Sequence, residues 1–407
     1  EARYGEKLAT PDTSVSDLIG DLDPIKAASR KLTLADEEVI HFGLIPRSNR
    51  GIFVINELPD LQPRIQVALL NIMQERDIQI RGFNIRIPLD VMVAFSANPE
   101  DYTNRGNIIT PLKDRIDSQI ITHYPRAVEV AREITRQEAW AQRQDGPEVE
   151  VPEFFRDLVE WVAFEARESE YVDQKSGVST RMTITAMEQM LSAAEQRALR
   201  TGEARTGLRI TDLYAIVPAL TGKLELVYEG EQEGAIQVAR HLIGKAVKRV
   251  FRERFPDPEQ RDAPQKSRTR RRSVEARGTP EDNPSSGSTS GDYGDLLGWF
   301  ALGHVLDIPD GLTDSEYAAH LAQAEGLKAI VESHVGTLES ESEYGSWMGL
   351  VLEGLHQHSK LGRQDMADRH QYSDLVGSVL NGLAGAAGGM DDEEGYEDDD
   401  SEDPYDR

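Results

Sequence analysis

The chain has 407 residues, 39% of them hydrophobic, with 45 basic against 72 acidic side chains for a net charge of −27, and no cysteine. That length exceeds one domain's worth, the charge argues against nucleic-acid binding through an overall field, and without thiols there is no disulfide, thiolate metal site or cysteine nucleophile. No apolar run approaches the ~18 residues of a membrane span, and residues 1–20 lack the basic-then-apolar pattern of a signal peptide, which reads as a soluble cytoplasmic protein with no membrane span.

Along the chain, Val15–Gly20 with the following Asp-Leu-Asp-Pro reads as a loop. Gly51–Glu57 is a short apolar run closed by an Asn-Glu pair, the pattern of a buried strand. Pro63–Glu75 places Ile65, Leu69, Ile72 and Met73 at helical spacing, and Asp77–Pro88 alternates around Arg81-Gly82-Phe83-Asn84 like a β-hairpin. Val91–Phe95 is a second buried strand. A helix is expected at Leu112–Ile116 and a third strand at Gln119–Thr122. This rhythm is that of an α/β core with a largely parallel sheet over residues 1–125.

After Pro125 the spacing becomes helical throughout: Arg126–Gln144, Pro152–Ser169, Thr180–Thr201, Ile210–Lys223 and Gly234–Phe255 predict an all-helical domain over 126–255. Residues 256–292, rich in Pro, Ser and Gly, read as a flexible linker. Within it, Lys266–Arg272 holds five basic residues in seven. A second helical domain is expected at 293–385, with Trp299, Phe300 and Trp347 in its core, and a disordered acidic tail at 386–407. Residues 391–407 hold eleven acids and one arginine, a solubiliser or a segment that docks on a basic partner.

The candidate chemistry lies at strand ends. Asn56 and Glu57 close an apolar strand, the position from which P-loop NTPases offer a residue to magnesium and a general base to water; any buried strand with a polar end also fits. Ser96-Ala97-Asn98-Pro99 closes the next strand, where an amide can bond a phosphate and the lytic water, though Asn-Pro is also an ordinary turn. Pro111-Leu112-Lys113-Asp114-Arg115 sets an arginine at a helix end, able to reach outward or to remain a surface residue. His356, His358 and His370 invite a metal reading, but the first two stand on different helix faces and no acid partner is apparent. Solvated or helix-terminal histidines are the expectation. The cluster at 266–272 reads as a segment pairing with the protein's own acidic surface or tail rather than with nucleic acid.

In this order, the motifs resemble the AAA+ ATPase branch of the magnesium chelatase I subunit and MoxR, over about residues 12–255. The run Phe42–Gly51 is similar to the family's approach to Walker B, and the hairpin at 77–88 resembles its pre-sensor-1 hairpin. The resemblance implies a P-loop NTPase core followed by a helical lid. It makes Asn56 and Glu57 the Walker B pair, Asn98 sensor 1, Arg115 the arginine finger and Arg181 sensor 2. It also implies ATP and Mg2+, a homo-oligomeric ring, often a hexamer, and a partner bearing a von Willebrand A domain.

Two departures qualify this. Position 56 is Asn where Walker B normally has Asp, either a tolerated variant or a cause of weak hydrolysis. No G-x-x-x-x-G-K-[ST] occurs in the sequence. The sequence begins with Glu1 rather than Met, and its first fifty residues resemble the stretch of chain after a P-loop. The expectation is therefore a core truncated at its N-terminus, with a degenerate ATPase, a non-hydrolysing scaffold, as the alternative. A sigma-54-type activator would share the core but needs a Gly-Ala-Phe-Thr-Gly-Ala loop, which is absent, and a helix-turn-helix, which is not apparent in 293–385.

Overall fold

The computed structural model describes residues 3–33, 36–80, 86–98, 107–141, 143, 146–259 and 293–375. They fall into two compact units, Glu1–His123 and Tyr124–Arg407. No helix among the described residues is long and apolar enough to cross a membrane.

The first unit runs β1 (Tyr4–Leu8), α1 (Val15–Leu18), β2 (Gly20–Leu22), α2 (Pro24–Arg30), β3 (Ile40–Phe42), α3 (Leu44–Arg47), β4 (Gly51–Asn56), α4 (Pro63–Glu75), β5 (Asp77–Gln79), β6 (Arg86–Pro88), β7 (Val91–Phe95) and α5 (Thr110–Lys113). Strands β1, β4 and β7 form a parallel sheet in that order, with Leu8 opposite Asn56 and Ile55 opposite Phe95. The register puts the carboxyl ends of β4 and β7 side by side, the edge where open α/β sheets place their sites. Gly51 is required by closeness: a Cβ there would strike the Arg3 carbonyl. Helix α4 starts on Pro63, where a missing N–H costs nothing, and buries Ile65, Leu69 and Ile72. Its Gln66 is also buried; Nε2 donates to Leu61 O at 2.8 Å and Oε1 accepts from Ile109 N at 2.9 Å, tying α4 to the start of α5.

Two expectations for this unit differ from the structure, and a third lies partly outside the described residues. The expected loop Val15–Gly20 holds the short helix Val15–Leu18, opened by a Ser14–Asp17 capping box in which Asp17 accepts the Ser14 N–H and Ser14 Oγ accepts that of Asp17, and Gly20 begins β2. The hairpin pairs Ile78 with Ile87, but Arg81–Asn84, its expected turn, lies outside the described residues. Gln119–Thr122 forms no strand: Ile120 and Ile121 are 89% and 80% exposed. β-branched residues favour extended backbone, but a strand exists only by its ladder, and among the described residues β7 pairs with β4 alone.

The second unit begins with α6 (Val128–Glu138), β8 (Glu148–Glu150), α7 (Glu153–Glu168), α8 (Arg181–Thr201), β9 (Arg205–Gly207), α9 (Ile210–Leu213), α10 (Val217–Thr221), α11 (Tyr228–Glu233) and α12 (Ala235–Arg254). It continues with α13 (Gly294–Ala301), β10 (Leu306–Pro309), α14 (Asp314–Leu321), α15 (Leu327–His334), α16 (Glu341–Gln357), β11 (Gly362–Asp365) and β12 (Arg369–Ser373).

The expected all-helical lid therefore contains a parallel pair, β8 with β9, and the expected C-terminal helical domain contains an antiparallel sheet ordered β10-β12-β11. Residues 126–255 and 293–375 are also not separately cored. One hydrophobic cluster runs from Phe154 to Tyr372. Phe154 packs on Trp347 with ring centroids 4.4 Å apart, and the Ser346 hydroxyl donates to Leu208 O at 2.6 Å. Gly354 on α16 leaves room for the Phe251 ring of α12, which a Cβ would strike. The expected linker at 256–292 is described as far as Glu259, and the tail at 386–407 lies outside the described residues.

A buried ionic net also joins these segments. Asp314, at the first turn of α14, accepts from Arg209 at 2.8 Å, Arg197 at 3.2 Å and the Gly207 N–H at 2.7 Å, while Arg197 also pairs with Asp212 at 2.7 Å. Buried charges persist when hydrogen bonds surround them. A second net centres on the fully buried Glu353, whose oxygens accept from Tyr214 at 2.6 Å, Gln357 at 2.9 Å, Arg363 at 2.6 Å and Tyr372 at 2.8 Å.

Candidate functional site

Asn56 is the last residue of β4 and Glu57 turns out of the strand in left-handed backbone, with φ 57° and ψ 52°. For a non-glycine residue this conformation costs about 1 kcal/mol. The turn sends the chain into Leu58 and Leu61, both buried. Glu57 stands half-exposed, and its carboxylate makes no hydrogen bond or ion pair among the described residues.

The neighbouring strand end fastens this corner. Ser96 follows β7 directly and sits opposite Asn56. Its hydroxyl donates to Asn56 Oδ1 at 3.2 Å and accepts the Glu57 N–H at 3.1 Å. Its carbonyl accepts the Leu58 N–H at 2.9 Å, and its own N–H donates to Ile55 O at 3.0 Å. Asn98 lies two residues on, exposed. The structure thus brings Asn56, Glu57 and Asn98 to one edge, with Ser96 as the stitch that sequence reasoning named but gave no role. A serine after a strand is common; the signal was its register against Asn56.

Arg115 does not join this group. Its guanidinium bonds Gln74 Oε1 from Nε at 3.0 Å and Nη2 at 2.6 Å, and the Pro111 carbonyl from Nη1 at 2.8 Å, so it is held against α4 of its own unit. Arg181 is the first residue of α8 in the second unit and is exposed. Its backbone N–H donates to Ser179 Oγ at 3.2 Å.

The donor set at this edge is one carboxylate and two amides, and the Asn56 oxygen is engaged by Ser96. It suits a magnesium ion held mostly by phosphate oxygens and water rather than a protein cage. The three C-terminal histidines do not converge. His356 Nδ1 bonds Leu361 O at 3.0 Å, and His370 is 3.9 Å from Asp310. His358 and His370 are buried, not solvated. His358 lies 3.2 Å from Glu259, with Asp257 close by, so an acid partner does exist. Arg252 already supplies a cation there, 3.4 Å from Asp257 and 3.8 Å from Glu259.

Comparison with known proteins bears on the segment that carries this edge. A family model described as the Sigma-54 interaction domain matches residues 32–121, which span β4, the hairpin, β7 and Arg115. The chain is 32% identical over 131 residues to the magnesium-chelatase 38 kDa subunit of Cereibacter sphaeroides, covering 31% of this chain and 36% of that protein. It is 31% identical over 121 residues to the same subunit of Rhodobacter capsulatus, covering 29% and 32%. The chain thus spans about a third of the length of the relatives it matches. Among solved structures, a complex of the magnesium chelatase subunits BchI and BchD aligns at 22% identity over 57% of this chain and 72% of that one, with a TM-score of 0.27. The fold and the matched segment define an AAA+ ATPase core. Within that class the matched segment is similar to the magnesium-chelatase 38 kDa subunits.

Proposed function

We propose that this protein is the ATP-hydrolysing subunit of an oligomeric AAA+ ring, a hexamer by the family resemblance, that remodels or inserts metal into a partner bearing a von Willebrand A domain. The observation that carries the reading is the Asn56–Ser96–Glu57 corner, which leaves a carboxylate without a partner among the described residues at the carboxyl edge of two parallel strands. Glu57 would take the proton of the attacking water, and Asn98 would bond that water and the terminal phosphate. Arg115, freed from Gln74, would reach the phosphate bound by a neighbouring subunit and offset its growing charge. Arg181 would contact nucleotide from the lid. Magnesium, when bound with ATP, would screen the phosphates; Asn56 would face it through water and Glu57 would stand nearest.

The second reading is a non-hydrolysing scaffold, favoured by Asn56, which places no charge beside the metal and turns its oxygen to Ser96. The deciding measurement is ATP turnover and nucleotide retention by the protein at its full natural length. The motor reading expects turnover that Glu57→Gln reduces by about 100-fold or more while ATP stays bound. No turnover, with retention unchanged by Glu57→Gln, establishes the scaffold.

A further inference from the structure

Helix α12 carries six basic residues and a single acid, Glu253, in a chain whose net charge is −27. Four of them, Lys245, Lys248, Arg249 and Arg252, recur at i, i+3, i+4 and i+7 and so form one stripe. The opposite side of the helix buries Ile243, Val247 and Val250. Arg249 and Arg252 keep 48% and 47% of their side chains exposed. Their neighbours only partly neutralise them: Glu165 lies 3.6 Å from Arg249, and Asp257 and Glu259 flank Arg252 at 3.4 and 3.8 Å. Lys245 and Lys248 make no ion pair among the described residues. One turn earlier, burial and then Lys245 and Lys248 push His241 below its ordinary value, as a positive local field requires.

Residues 391–407 have the complementary charge, eleven acids and one arginine. They follow β12, whose Tyr372 is bonded to Glu353 on α16, the helix that packs on α12 through Gly354 and Phe251. The fifteen residues 376–390 can reach about 50 Å, longer than the roughly 30 Å of a 20-residue helix. We propose that the acidic C-terminal segment Asp391–Asp406 docks in cis along α12, its carboxylates on Lys245, Lys248, Arg249 and Arg252. The tail then acts as a built-in polyanion that shields the stripe from other acidic ligands.

Zero-length carbodiimide cross-linking of the full chain tests this, since it joins lysine to carboxylate only in direct contact. The expected result is links from Lys245 and Lys248 to residues 391–406 within the monomer fraction. Their yield should fall about tenfold between 0.05 and 1 M salt, as screening shortens. Arg249→Gln with Arg252→Gln, verified as folded by circular dichroism, should lower the yield severalfold. Links confined to a dimer fraction, links from the tail to other lysines only, or a yield insensitive to salt and to the double substitution overturn the proposal. A second readout uses heparin and a twenty-nucleotide single strand as probes. Asp398→Asn, Asp399→Asn and Asp400→Asn together should expose the stripe and tighten binding of both; equally tight binding by the unaltered chain would mean that the stripe is open to nucleic acid, and would overturn it as well.

Discussion

The Ser96 hydroxyl holds Asn56 and the backbone of Glu57 at once, donating to the amide oxygen at 3.2 Å and accepting the Glu57 N–H at 3.1 Å. One side chain just past β7 therefore holds the Asn56 side chain at the end of β4 and the backbone of the residue that follows it. Ser96→Ala should cost about 1 kcal/mol of stability, seen as a lower urea midpoint, and should lower ATP turnover more than nucleotide affinity. Ser96→Thr keeps the hydroxyl and should restore both. Equal turnover in Ser96→Ala and the unaltered protein would remove Ser96 from the site.

Glu57 offers a test of stored strain. In left-handed backbone, Glu57→Gly should raise the stability of the first unit by up to about 1 kcal/mol, whereas Glu57→Gln should leave it unchanged. Both should lose turnover. A destabilised Glu57→Gly protein would show that the turn is not strained.

Arg115 is held by Gln74, so releasing it should help a residue that acts across a subunit boundary and harm one that only braces α4. Gln74→Ala is expected to leave turnover intact or raise it, with a small loss in thermal midpoint. Arg115→Ala should cut turnover by about 10³-fold with nucleotide binding retained. A fall in stability alone, with turnover kept, identifies Arg115 as a local brace.

Asp314 is shared by two buried arginines and a backbone amide. Asp314→Ala strands that charge and should cost roughly 3–5 kcal/mol, read by denaturant unfolding of the second unit. Asp314→Asn should recover part of it. A loss below 1 kcal/mol would mean that water replaces the carboxylate.

Acid should weaken the second unit in two windows. Burial, then Arg363, holds His370 neutral and lowers its pKa from 6.5 to about 4. The unfolded chain then takes up the proton first, so stability falls as pH drops through that interval. For Glu353 burial alone would raise the pKa, but Arg363, His356 and the bonds from Gln357 and Tyr214 outweigh it and bring it from 4.5 to about 2. Its stabilisation is present above pH 4.5 and is lost toward pH 2. Each group contributes on the order of 3 kcal/mol. His370→Gln should flatten the upper window of urea midpoint against pH, and Glu353→Gln the lower; unchanged slopes would rule these groups out.

Strands β4 and β7 were legible because each writes itself as an unbroken apolar run between polar stops, but the runs overstate their burial: Ile52 is 43% and Met92 65% exposed. Helix α4 matched its expected bounds because Pro63 and the 3–4 spacing act locally. Gln119–Thr122 misled because composition speaks for extended backbone but not for a pairing partner. Strands β11 and β12 escaped because Arg363, Gln364, Arg369 and Gln371 look like loop; their alternation with His370 and Tyr372 carries the signal. Nor could spacing reveal that Phe154 meets Trp347 across almost two hundred residues of chain. At the site, Asn56, Glu57 and Asn98 were readable as strand-end residues, but the fastening by Ser96 exists only in register.

On either side of residues 260–292, the Tyr293 hydroxyl donates to Pro256 O at 2.7 Å. The two flanks are thus pinned together, and the core on either side is common. A protease cut between them should separate nothing: the halves should co-purify and, made as two polypeptides, should reassemble by complementation. The same point should accept an inserted fluorescent protein without loss of fold, giving a place to attach a reporter beside α12.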